Sequence, residues 1–110
     1  MQYLLLIYND AEKLKAADPA ALRQGYQAWL QATEQSGKLR ATGGWPTRIT
    51  TVRVDEGKTL TTDGPFAEAR EGVGGFCVIE VASHEEAVAI AAGIPSAAMG
   101  AVELRPLSAR

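Results

Sequence analysis

The apolar positions at the start of the chain do not alternate. In QYLLLIYN, residues 2–9, both Tyr3/Leu5/Ile7 and Leu4/Leu6/Tyr8 are apolar, the pattern of a strand covered on both faces, and Asn9-Asp10 ends it. The charged stretch AEKLKA predicts a short helical turn. Asp18-Pro19 then reads as an N-cap with proline at the first helical position, where its missing N–H would have no partner anyway, and Ser36-Gly37 as the stop. The helix between them runs about five turns. Leu22, Tyr26, Trp29 and Thr33 recur as a core-facing stripe, whereas Arg23, Gln27, Gln31 and Glu34 suit solvent. Gly25, in mid-helix, costs about 1 kcal/mol relative to alanine and points to close packing there.

The middle of the chain changes period. KLRATGGWPT reads as a brief strand broken by Gly43-Gly44 and Trp45-Pro46, and RITTVRV and KTLTTD flank Asp55-Glu56-Gly57 as the arms of a hairpin. After the loop within TTDGPFAEAREGVGGF, Thr61 to Phe76, GGFCVIEVA is a strand with Phe76 and Val78 on one face and Cys77, Ile79 and Val81 on the other. It too is apolar on both faces. Ser83 with Glu86 forms a capping box that opens a helix with Ala87, Ile90 and Ala91 on its buried stripe and Gly93 at its end. AVELRPL, with Val102 and Leu104 alternating against Glu103 and Arg105, is the closing strand.

This order predicts an α+β fold, the ferredoxin-like βαββαβ plan with an extended middle hairpin, as a single domain over residues 1–110. Two helices cover only one face of such a sheet. Because the first strand and FCVIEV are apolar on both faces, the far side needs a cover, and a second copy of the same sheet supplies it. The expected assembly is a homodimer with its sheets face to face, a dimeric α+β barrel.

Composition narrows the function classes. The net charge is −2 with both signs mixed, so there is no basic footprint for nucleic acid. The longest apolar run, Tyr3 to Tyr8, is too short to span a bilayer, and no charged segment precedes it as in a signal peptide. No membrane partner is expected, and the expected location is the cytoplasm. One cysteine and one histidine cannot supply a structural zinc site or an internal disulfide. Neither a metal nor another cofactor is expected.

Candidate chemistry concentrates in TTDGPFAEAREGVGGF, residues 61–76. Asp63 is the candidate catalytic residue: in an apolar cleft its carboxyl pKa would rise and suit it to general acid–base work. The competing reading is architectural, with Asp63 accepting backbone N–H groups at the start of a turn shaped by Gly64 and Pro65. Arg70, between Glu68 and Glu71, reads either as an anion clamp or as part of a solvated salt-bridge cluster. Gly72, Gly74 and Gly75 would let a ligand approach the backbone, but no helix follows them directly as the dinucleotide fingerprint requires. Cys77 reads as a small buried hydrophobe and His84 as an exposed residue at a helix start. Tyr8, Trp45 and Arg48 combine a strand-end phenol, an indole and a guanidinium, the groups that line a mostly apolar pocket, or else serve core and dimer packing. The candidate ligand-binding set is Tyr8, Trp45, Arg48, Gly64, Pro65, Phe66 and Arg70.

YLLLIYND at the start, TVRVDEGKTLTTDGPFAEAREGVGGFCVIEV in the middle and ELRPL near the end together resemble the YCII-related proteins, specifically the subgroup with an Asp-Gly-Pro-Phe signature. The resemblance covers nearly the whole chain. It implies a dimeric α+β barrel with the signature loop at a cleft beside the sheet, in a family whose activity is mostly unassigned. It also implies a link to extracytoplasmic-function sigma factors, which members of the subgroup are often encoded beside, and hence the alternative of a regulatory interaction module. Some more distant members are proposed enzymes acting through a His-Asp pair. This chain departs from that pattern. Asp63 matches the Asp, but the single histidine is His84, no histidine stands in or near the first long helix, and Met99 occupies a position where a His or Tyr is often found. The resulting expectation is a protein that binds a small organic ligand in a cleft near the Asp-Gly-Pro-Phe loop, with metal-independent acid–base chemistry as its enzymatic form.

Overall fold

A computed structural model describes residues 1–44, 49–64 and 72–108 of the protein. Strand β1 (Gln2–Asn9) is followed by helices α1 (Ala11–Ala16) and α2 (Pro19–Gln35), strand β2 (Leu39–Gly44), the hairpin β3 (Thr50–Asp55) and β4 (Lys58–Asp63), strand β5 (Gly72–Glu80), helices α3 (His84–Ala92) and α4 (Ser96–Met99), and strand β6 (Gly100–Leu107). The main sheet has the order β2-β5-β1-β6 and every neighbouring pair is antiparallel. With the hairpin set aside, this is the ferredoxin-like arrangement the sequence predicts. The hairpin forms a two-stranded sheet of its own.

The elements begin and end where local chemistry directs. Asp10 caps α1 by accepting from the Glu12 and Lys13 amides at 2.9 and 3.3 Å. Asp18 does the same for α2 through Ala20 at 3.0 Å, with Pro19 opening the helix, and Gly37 leaves it with φ +76°. At α3 the Glu86 amide donates to Ser83 Oγ at 3.1 Å as a capping box requires, while the return bond reaches one residue further back, the Glu86 carboxylate accepting from the Ala82 amide at 3.2 Å. The hairpin turns through Glu56 and Gly57, both with positive φ (49° and 77°), the left-handed pair that matches the twist of two antiparallel strands.

The core lies between the sheet and the long helices. Tyr3, Leu5 and Ile7 of β1 meet Cys77 and Ile79 of β5, Ala87 and Ala91 of α3, and Val81 and Ile94 from the connections on either side of that helix. Tyr26, Trp29 and Ile90 pack against this cluster, and the Trp29 indole N–H donates to the Ile90 carbonyl at 2.9 Å, so the polar edge of a large apolar side chain is satisfied. The Gly25 expectation holds: a Cβ there would stand 3.3 Å from Pro95 Cγ, so α2 runs close to the α3–α4 connection.

Two readings need correction. Gly43-Gly44 does not break β2, because both residues lie within the strand, opposite Phe76 and Gly75. The Phe76 ring occupies the space a Cβ on Gly43 would need, so packing replaces what the missing side chain withholds. The short helix α4 is absent from the sequence reading. Pro95 starts it without a side-chain cap, and its four residues are too few to carry a 3.6-residue period.

Candidate ligand-binding cavity

Two residues of the stripe on α2, Leu22 and Tyr26, line a cavity, and Tyr26 also packs against the core cluster. Pro19, Leu22 and Tyr26 recur at i, i+3 and i+7, and with Arg23 they form one wall of a cavity of about 390 Å³. Ile7 and Asn9 of β1 and the glycine pairs Gly43-Gly44 and Gly74-Gly75 form the sheet side, while Leu14 of α1 and Pro95 and Ser96 close the ends. The cavity therefore lies on the helix-bearing face, at the end of the sheet where β1 finishes and β5 begins. Its volume falls in the range of small-molecule sites.

The glycines make this space. A Cβ on Gly75 would stand 2.9 Å from the Gly43 carbonyl oxygen, a backbone atom that cannot turn aside, so β2 and β5 can approach only without a side chain there. A Cβ on Gly74 would strike the Asn9 side-chain amide. Gly74 thereby leaves room for Asn9 beside the cavity.

The wall is mostly apolar, with few polar groups. Arg23 is exposed, Tyr26 and Asn9 are half-buried, and Ser96 is 9% exposed. None of the four side chains is engaged in a hydrogen bond or ion pair with another described residue. No aspartate, glutamate or histidine is among the described lining residues. Such a surface can bind and orient a molecule, with Arg23 offering a bidentate fork and Asn9, Tyr26 and Ser96 single polar contacts.

The candidate residues read from sequence distribute differently. Asp63 is exposed at the end of β4, opposite Thr50 in the hairpin, and is not among the residues lining the cavity. Gly64, with φ +112°, folds back to the hairpin: its amide donates to the Ile49 carbonyl at 2.8 Å and its carbonyl accepts from Thr51 Oγ1 at 2.7 Å. Tyr8 is half-buried on the opposite face of the sheet, one residue from the cavity residues Ile7 and Asn9. Trp45, Arg48, Pro65, Phe66 and Arg70 lie outside the described residues. Cys77 is buried, and burial pushes its thiol up, while a hydrogen bond with Thr42 opposes the shift. His84 is exposed, with Nδ1 3.2 Å from the Tyr3 hydroxyl.

Arg23, Tyr26, Asn9 and Ser96 were not on the list of candidates. A signal existed in part: Arg23 follows Leu22 and precedes Tyr26 by three positions, so the charge borders the apolar stripe. Nothing in the sequence distinguishes a stripe facing a cavity from one facing filled core.

The fold and cavity define a ferredoxin-like α+β protein with a small-molecule-sized space between its sheet and first long helix. The chain belongs to the YCII-related domain family, whose match extends over residues 1–109. It is 32% identical over 115 residues to an uncharacterised protein of Rhizobium meliloti, covering 98% of this chain and 93% of the relative. Its fold is similar to that of the 5-chloro-2-hydroxyhydroquinone dehydrochlorinase of Burkholderia phenoliruptrix, solved in complex with 2,5-dihydroxybenzoquinone. The TM-score is 0.59 at 14% identity, over 98% of this chain and 94% of that one. Among the described residues, no helix is long and apolar enough to cross a membrane.

Proposed function

We propose that the protein binds a small organic molecule in the cavity between α2 and the β2–β5–β1 end of the sheet. The observation that carries this reading is the cavity itself, about 390 Å³, mostly apolar and bordered by four polar side chains that make no hydrogen bond or ion pair with another described residue. That the structurally similar dehydrochlorinase is solved with a small hydroxylated ring supports a small-molecule site on this fold. The signature segment stands next to it in the chain: Asp63 and Gly64 precede residues 65–71, and Gly74 and Gly75 just beyond them line the cavity. Asp63 is exposed on the hairpin and is not among the described lining residues, so the proposal is one of binding and assigns Asp63 no step on the bound molecule. The cavity favours this reading over that of a sigma-factor module, which rests on the gene context implied by the family resemblance.

The proposal includes a homodimer, supported by the sheet face turned away from the helices. Leu4, Leu6, Tyr8, Phe76 and Val78 are only half-buried there. Titrating isotope-labelled protein with a panel of ring-containing fragments tests the ligand reading. Amide shifts should move at Asn9, Arg23, Tyr26, Gly74, Gly75 and Ser96. Shifts gathered instead at the groove beside Trp29, Thr33 and Lys38 would refute the placement.

A further inference from the structure

We infer that the ligand of this cavity is a small monoanion with a ring-sized apolar body, a carboxylate held by Arg23 at the mouth; this rests on the small-molecule reading above. Three observations lead to it. The cavity borders one guanidinium, and no carboxylate stands among its described lining residues, so its local field favours negative charge. Arg23 makes no ion pair with a described residue, and its planar fork matches a carboxylate. Arg23 is exposed whereas Ser96 is buried, so the charge stands at the solvent side of a lining that also includes Leu22 and Ile7. An amphipathic acid entering body first matches that arrangement: its ring leaves water, and its charge stays partly hydrated against Arg23. A dianion or a sugar would place additional polar groups against the apolar wall without partners.

The position on α2 gives the helix a specific task. Leu22 and Arg23 are successive residues, one half-buried and one exposed, so a single helical turn presents the apolar wall and the charge together. This pairing gives selectivity, because a neutral molecule of the same shape keeps the first contact and loses the second. A charge-assisted hydrogen bond at an exposed guanidinium corresponds to about a tenfold preference.

The test is calorimetric titration of the full chain with benzoate and with benzamide, its neutral near-isostere, at low and moderate ionic strength. Benzoate should bind about tenfold more tightly, and added salt should reduce that preference. Arg23→Gln should bring benzoate down to the level of benzamide, and Arg23→Lys should restore part of the difference. Since Arg23 is exposed, circular dichroism of both variants should match wild type. Equal affinity of the two probes, or unchanged benzoate binding by Arg23→Gln, would overturn the anion assignment and leave the cavity reading standing. Binding of neither probe would overturn both.

Discussion

Gly74 and Gly75 are neighbours in sequence and differ in what they tolerate. At Gly75 the obstacle to a side chain is the Gly43 carbonyl, 2.9 Å from a Cβ and fixed in the β2–β5 ladder. Gly75→Ala should therefore destabilise the protein by about 1–3 kcal/mol, the range for overpacking, as measured by urea denaturation. At Gly74 the obstacle is the Asn9 side chain, which can change rotamer. Gly74→Ala should leave stability nearly unchanged and weaken ligand binding by displacing Asn9 from beside the cavity. Equal losses of stability in the two variants would show that the strand pair is equally rigid at both positions. The sequence marks both residues as a place where backbone can approach closely, without showing that β2 and Asn9 are what approach. Those partners lie more than thirty and sixty positions away in the chain, respectively, and only the assembled sheet brings them together.

Capped helices were the most legible elements. Asp18 and Ser83, read as caps, each stand where a helix begins, because a side-chain oxygen before an orphaned turn of N–H groups is a local requirement that distant packing does not alter, whereas Asp10, read only as the end of the first strand, caps α1 as well. The hairpin was legible for a related reason, since its two turn residues need positive φ. The continuation of β2 through Gly43-Gly44 was not, because the Phe76 ring that fills the gap comes from another strand. The cap of α3 also has an electrostatic consequence. Lys38 pairs with the Glu86 carboxylate and, with the Ala82 amide, holds its pKa below the ordinary value. A carboxyl with a depressed folded-state pKa contributes stability that is complete above its unfolded value of about 4.3 and is lost as pH falls through the folded one. The difference in Tm between wild type and Glu86→Gln should thus be constant above about pH 5 and shrink in more acidic solution. A difference that grew on acidification would contradict the assigned pairing. The contribution should also diminish with salt, because the pair is partly exposed.

The molecule as a whole is more extended than a chain of its length requires. Its radius of gyration is 16.0 Å and its dimensions are 47 × 40 × 19 Å, whereas about 13 Å is typical of a compact domain this size. The β3–β4 hairpin contributes to this: Val52 and Val54 are 59% and 70% exposed, and a lone two-stranded ribbon is marginal in water. Together with the half-covered sheet face, this supports the proposed homodimer. Sedimentation equilibrium should give twice the chain mass at micromolar concentration, and a monomer there would remove that part of the proposal. The apolar doubling of β1 and β5 made the uncovered face legible in the sequence. The cavity was legible only at Gly74 and Gly75, where backbone can be approached closely, because Leu22 and Tyr26 have the same spacing whether they face packed side chains or open space. The most direct test of the cavity as the binding site is to fill it. Leu22→Trp adds bulk from a half-buried wall position on a helix. A ring-containing fragment that raises the Tm of wild type should lose that effect in Leu22→Trp, while the variant keeps its circular dichroism spectrum. An equal Tm increase in both proteins would contradict the cavity as the site.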